Sequence, residues 1–127
     1  MNNQPRRYIV PVYNSHGDPE AYLDYPYLHN KMGEWIGWVT ADRQVYSVLG
    51  FYVGEMTAEP RIVRRRLTAS LRARKIPPPP PARLLVPHSI PLPPMLPDLK
   101  FGLSDVLLEQ PELLHTLDSG DARQDAD

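Results

Sequence analysis

Four histidines, six serines, fifteen carboxylates and fourteen basic side chains are the groups with which this chain of 127 residues could do chemistry. His16, His29, His88 and His115 have no second histidine or carboxylate at the spacing of a metal motif, so they read as exposed or packed side chains. No serine sits in a Gly-x-Ser-x-Gly elbow. No Lys-Ser/Thr follows a glycine as a phosphate loop requires. Asp18 with Glu20, and Glu34 with Glu55, are carboxylate pairs that could share acid/base work. On a small barrel-like fold a solvated rim is the simpler reading of both. Cysteine is absent, which excludes thiol catalysis, disulfides and thiolate metal sites. The chain is therefore expected to be no enzyme and to carry no cofactor and no metal.

Groups suited to binding are more prominent. Trp35, Trp38, Tyr46 and Tyr52 could line a pocket between hairpins, or form a core or a partner surface, since such rings combine large area with a polar handle. Arg61, Arg64, Arg65, Arg66, Arg72, Arg74, Lys75 and Arg83 form a basic run without an acid. It could contact phosphates, but no aromatic residues are interleaved for base stacking. Pro78-x-x-Pro81-x-Arg83 has the form of a peptide ligand for aromatic grooves, although five consecutive prolines create such a pattern by necessity and a stiff spacer explains it equally.

The elements that must hold these groups follow from a repeat. A twelve-residue unit occurs three times, as Val12 to Leu23, Leu28 to Val39 and Val45 to Met56. Its sixth position is Gly17, Gly33 or Gly50, and four places later stands Ala21, Gly37 or Gly54. Val, Leu, Ile, Tyr and Trp on both sides of the first glycine favour a β-hairpin. The first glycine supplies a positive φ in the turn, and the second small residue marks a bulge or the close approach of another backbone. No helix is expected before Pro60. A fourth unit is expected near residue 66, opened by Ile62-Val63. It lacks a glycine, and Val63, Leu67 and Leu71 would equally suit a short helix.

Ten of the eleven aromatics lie between Tyr8 and Tyr52, and ten of the sixteen prolines between Pro77 and Pro97. That shift divides the chain into a β-hairpin domain over residues 1–75, an extended proline-rich arm over 76–98, and a short helical docking segment with an acidic disordered tail over 99–127. Ser104 is the expected N-cap of the last segment, with Leu107, Leu113 and Leu114 on its apolar face. A chain ending at Lys75 is expected to stay folded. Charge is segregated: net −3 over residues 1–60, +8 over 61–83 and −6 over 84–127. This suggests internal neutralisation or a basic patch offered to an acidic partner. No signal peptide or membrane span is visible, so the expectation is a cytoplasmic protein.

The repeat resembles the four-fold β-flower domain of bacterial proteins, whose members carry hairpins with a Tyr-x-x-x-Gly turn and a later small residue around a pseudo-four-fold axis. Tyr13-x-x-x-Gly17 and Tyr46-x-x-x-Gly50 fit that motif, over roughly residues 7–66. His29 replaces the tyrosine in the second copy, and Ala21 the later glycine in the first. The resemblance implies a fold and no activity.

The fold expected is all-β: a small pseudo-symmetric array of repeated hairpins, three clear and the fourth degenerate, with an extended C-terminal arm. The function expected is non-enzymatic protein–protein interaction or assembly, as a scaffold or accessory subunit of a larger complex, with the arm docked on a protein partner. Contacts would come from Trp35, Trp38, Tyr46 and Tyr52 on the domain and from Leu107, Leu113 and Leu114 on the tail. The alternatives are a nucleic-acid-binding module using the basic cluster from Arg61 to Arg83, with Arg64, Arg65 and Arg66 at its centre, and a small-molecule sensor built on the aromatic face.

Overall fold

Apolar side chains recur in register through the repeats, and that register builds the sheet. Val12, Leu28, Val45 and Ile62 open four successive units at steps of 16 or 17 residues, and all four are fully buried. The computed structural model describes residues 8–66 and 72–118. It contains one antiparallel sheet of eight strands in simple sequence order, curled into a half-barrel. The strands are β1 (Val10–Tyr13), β2 (Pro19–Asp24), β3 (Tyr27–Asn30), β4 (Trp35–Val39), β5 (Gln44–Ser47), β6 (Tyr52–Met56), β7 (Ile62–Arg65) and β8 (Leu103–Asp105). A short helix, α1 (Val106–Glu109), and a 3-10 turn at Pro111–Leu113 follow. The all-β array of hairpins expected from the repeat is present.

The three clear repeats are three hairpins with one turn design. Residues 14–17, 30–33 and 47–50 each close on a glycine at φ 87°, 83° and 88°. In each, the glycine amide donates to the carbonyl of the first turn residue at 2.9–3.0 Å. The side chain of that first residue braces the loop. Asn14 Oδ1 accepts from the amides of His16 and Asp18, Asn30 Oδ1 from those of Met32 and Glu34, and Ser47 Oγ from those of Leu49 and Phe51. Short polar side chains at the head of a turn do this because they reach the backbone two residues on. The ladder slips by one residue at the same place in every hairpin, after Val12, Leu28 and Val45. Ala21, Gly37 and Gly54 stand beside these bulges. A Cβ on Gly37 would lie 2.7 Å from both Leu114 Cδ2 and the Tyr46 carbonyl oxygen, and one on Gly54 would overlap the Val63 carbonyl. The expected close approach is thus located.

The fourth unit is a hairpin, not a helix. Ile62–Arg65 is a strand paired with Leu103–Asp105, in the register Val63 to Asp105 and Arg65 to Leu103. Leu67 and Leu71, on which the helical alternative also relied, lie outside the described residues. The turn glycine missing near residue 66 is supplied from far along the chain. Gly102, at φ 88°, precedes β8, and its carbonyl accepts the Arg66 amide at 3.0 Å. The proline arm is therefore the connection of the fourth hairpin.

The sheet runs across the boundaries of the expected three-part division. One sheet takes β7 from the first expected segment and β8 from the last. The apolar segment expected to dock elsewhere completes the same core. Val106 and Leu114 join Val12, Leu28, Ile36 and Val53 in it, with Leu107 and Leu113 packed against its edge. Ser104 is a strand residue; the helix cap is Asp105, whose carboxylate accepts the Leu107 amide. Among the described residues no helix is long and apolar enough to cross a membrane.

Candidate interaction surface

The connection between β7 and β8 has no regular secondary structure over its described part, and its backbone is held turn by turn. The Lys75 amide donates to the Gly50 carbonyl at 3.0 Å, and the Leu84 amide donates to the Gly33 carbonyl at 2.9 Å. The residue before each donor grips the carbonyl of the residue before each glycine: Arg74 Nη2 donates to the Leu49 oxygen at 2.6 Å, and Arg83 Nε to the Met32 oxygen at 2.9 Å. Nine residues further on, Pro93 lies against Gly17, its Cγ 3.2 Å from where a Cβ would sit. Tyrosine hydroxyls hold the arm between these points, Tyr27 donating to the Pro79 carbonyl at 2.9 Å and Tyr13 to that of Pro91 at 2.8 Å. The arm thus visits the third, second and first hairpins in turn and then closes the fourth.

The two ends of the sheet are joined by side chains. Arg61 is only 2% exposed. Its Nη1 donates to Ser15 Oγ at 3.0 Å, and its Nη2 to Glu59 Oε1 and to the Pro97 carbonyl, each at 2.8 Å. One guanidinium thereby ties the first hairpin, its own turn and the arm. Beside it, Asp105 Oδ2 accepts the Ser15 amide at 2.6 Å, while Oδ1 caps α1. Hydrogen bonding to Arg61 holds the Glu59 carboxyl below its ordinary pKa.

The residues singled out in the sequence are distributed as follows. Trp35 and Tyr46 are buried, and the Trp35 indole donates to the Gly37 carbonyl at 2.7 Å. They are core, not a partner face. Trp38 and Tyr52 are half-buried beside Tyr46, Trp38 stacked on it at 5.1 Å and Tyr52 edge-on at 5.6 Å. Burial pushes the Tyr52 phenol above its ordinary pKa, and its hydroxyl donates to Gln44. The basic run does not form one patch. Arg61 is buried, and Arg64 donates to the carbonyls of Tyr52 and Val53. Arg72, Arg74 and Lys75 lie over the rings of Tyr52, Phe51 and Tyr46. Arg65 is exposed, and exposed Arg66 approaches Glu109 at 3.5 Å. Pro78 and Pro81 are half-buried against the domain. Leu107, Leu113 and Leu114 pack inward.

Of the carboxylate pairs, Glu20 approaches Lys31 at 3.6 Å and Glu34 accepts from Asn30 at 3.0 Å. Both line a cleft of about 460 Å3 whose floor includes Ile36 and Leu114. Glu55 is exposed on β6. Buried His29 turns Nδ1 to the Gly33 carbonyl at 3.1 Å. Among the described residues no group of three or more His, Asp or Glu is placed to hold a metal ion.

The most exposed large apolar side chains among the described residues lie on the arm, ahead of Tyr8, Tyr25 and Met32 outside it. Ile76, Leu85, Leu92 and Met95 are 88–93% exposed, and Phe101 is fully so. Sequence reasoning missed them because it treated the arm as a spacer. The signal was present in the nine-residue step from Arg74-Lys75 to Arg83-Leu84, each pair followed by an apolar residue. Comparison with known proteins finds no matching family model, no matching curated protein and no matching solved structure.

Proposed function

We propose that the protein is a non-enzymatic interaction module, an accessory or assembly component that holds its partner on the outward side of the arm. The carrying observation is that the arm is fixed to the hairpin turns by its backbone while Ile76, Leu85, Leu92, Met95 and Phe101 remain exposed. Ordering an extended segment in advance lowers the entropic cost of binding through it. Five large apolar side chains, each at least 88% exposed, are thereby held in place on one element. The engagement of Arg61 and Arg64 by the protein's own groups weighs against the nucleic-acid alternative, and the burial of Trp35 and Tyr46 against the sensor alternative. Four hairpins of similar plan support a relationship to the four-fold β-flower domains.

The test is photocrosslinking in cells with a benzophenone amino acid at position 76 or 85, beside a control at position 42 in the turn between β4 and β5. Capture at the two arm positions and not at the control is expected. Equal capture at all three positions, or none at any, would sink this reading.

A further inference from the structure

We propose that the four hairpin ends form an arc that docks on an anionic lipid surface. The inference rests on the reading of the arm as the binding element and specifies what it binds. In a sheet of strands in sequence order, alternate connections lie at the same strand ends, so the connections β1–β2, β3–β4, β5–β6 and β7–β8 share one edge. The sheet is curled, which bends that edge into an arc.

Each of the four ends carries an exposed apolar side chain delivered by the arm. Ile76 follows Lys75, which is bonded to Gly50 of the third hairpin. Leu85 follows Leu84, bonded to Gly33 of the second. Leu92 and Met95 flank Pro93, which packs on Gly17 of the first. Phe101 precedes Gly102, which closes the fourth. The alternation is that of extended chain, in which neighbouring side chains point to opposite sides: Leu84 is buried and Leu85 exposed.

Cations accompany these side chains at three of the four ends. Arg72, Arg74 and Lys75 stand at the third hairpin, Arg83 at the second and Lys100 at the fourth, all exposed. Asp98 is the only acid between residues 72 and 101. Their aliphatic stems and charged heads suit an interface with an apolar side and an anionic side.

The dispersal of the apolar residues selects the partner. A protein interface concentrates its binding energy in a packed central cluster. One or two apolar side chains at each of four separated ends, three of them beside basic residues, instead match a surface that takes each insertion independently. Anionic lipid supplies both terms, apolar burial and attraction of each nearby cation.

Full-length protein would be sedimented with vesicles of phosphatidylcholine alone and of an equal mixture with phosphatidylglycerol, at low and high salt. Binding to the mixed vesicles, weakened by salt and about tenfold or more above that on phosphatidylcholine alone, is expected. The variant I76S/L85S/F101S alters only exposed side chains and should keep the wild-type melting temperature. It should lose at least about tenfold in partition. A second variant, K100Q, should lose a smaller part, and only at low salt. No sedimentation with either vesicle, or equal sedimentation of wild type and triple variant, overturns the proposal. Crosslinking of protein at positions 76 and 85 without vesicle binding would overturn the lipid partner while leaving the arm as the binding element. Failure of both measurements would remove the binding role of the arm as well.

Discussion

Leu84 donates its amide to the carbonyl of Gly33 at 2.9 Å, and its own carbonyl fills the space where a Cβ on Gly33 would project. The glycine therefore has two functions, a positive φ for the turn and a seat for the arm. Lys75 and Gly50 repeat the relationship. Gly102 has the same φ but nothing within 4 Å of its missing Cβ. The two functions can be separated by substitution. Gly102→Ala should cost roughly 1–2 kcal/mol, the penalty for a side chain in the left-handed region. Gly33→Ala and Gly50→Ala add a backbone overlap and should cost at least about twice as much. Urea titration of the three variants decides the point; equal losses would show that seating the arm contributes nothing.

Truncation after Lys75 should unfold the protein. It removes β8, the buried Val106 and Leu114, the Asp105 bond to Ser15 and the Pro97 carbonyl on Arg61. A chain this short has little apolar core to lose, because small domains are marginal even when intact. Far-UV circular dichroism and amide proton dispersion should report a disordered chain. A cooperative melt of the truncated form would restore the separate domain expected from the proline boundary.

Most of the first three hairpins and the opening strand of the fourth at Ile62-Val63 were legible in the sequence, and the partner strand of the fourth was not, for a physical reason. Gly17, Gly33 and Gly50 advertise local turns whose bonds close within a few residues, and periodicity exposes them. The pairing of Val63 with Asp105 closes across the whole arm, and a three-residue strand such as Leu103-Ser104-Asp105 has no alternation long enough to recognise. Its leucine neighbours carried a helical pattern that suggested docking elsewhere. The basic run misled in a similar way. Charge density is visible in sequence, whereas the burial of Arg61 against Ser15, Glu59 and Pro97 depends on residues up to 46 positions away.

Leu114 tests whether the C-terminal segment is structural. Its Cδ2 fills the space beside Gly37, and its side chain closes the core against Ile36. Leu114→Ala should cost about 2–4 kcal/mol, the sum of lost burial and a residual cavity. Exposed Leu117→Ala should stay within about 0.5 kcal/mol of wild type. Thermal denaturation compares them, and similar melting points for both variants would mean that the segment does not belong to the core.

Arg61 and Glu59 should give the protein part of its acid sensitivity. The Glu59 carboxyl has a lowered pKa in the folded state, chiefly through its hydrogen bond from Arg61. A depressed folded pKa contributes stability that is present above the unfolded value, about 4.3 for glutamate, and is lost as pH falls through the folded value. Glu59→Gln should therefore lower stability near neutral pH and flatten the acid side of the stability curve, so that the two proteins converge only once pH falls below the lowered folded value of Glu59. Arg61→Met should cost more, on the order of 3 kcal/mol, because it leaves Glu59, Ser15 and the Pro97 carbonyl without their common donor. The measurement is the urea midpoint of the three proteins from pH 3 to pH 8. A constant gap between wild type and Glu59→Gln across that range would mean that the pair contributes through packing and not through charge.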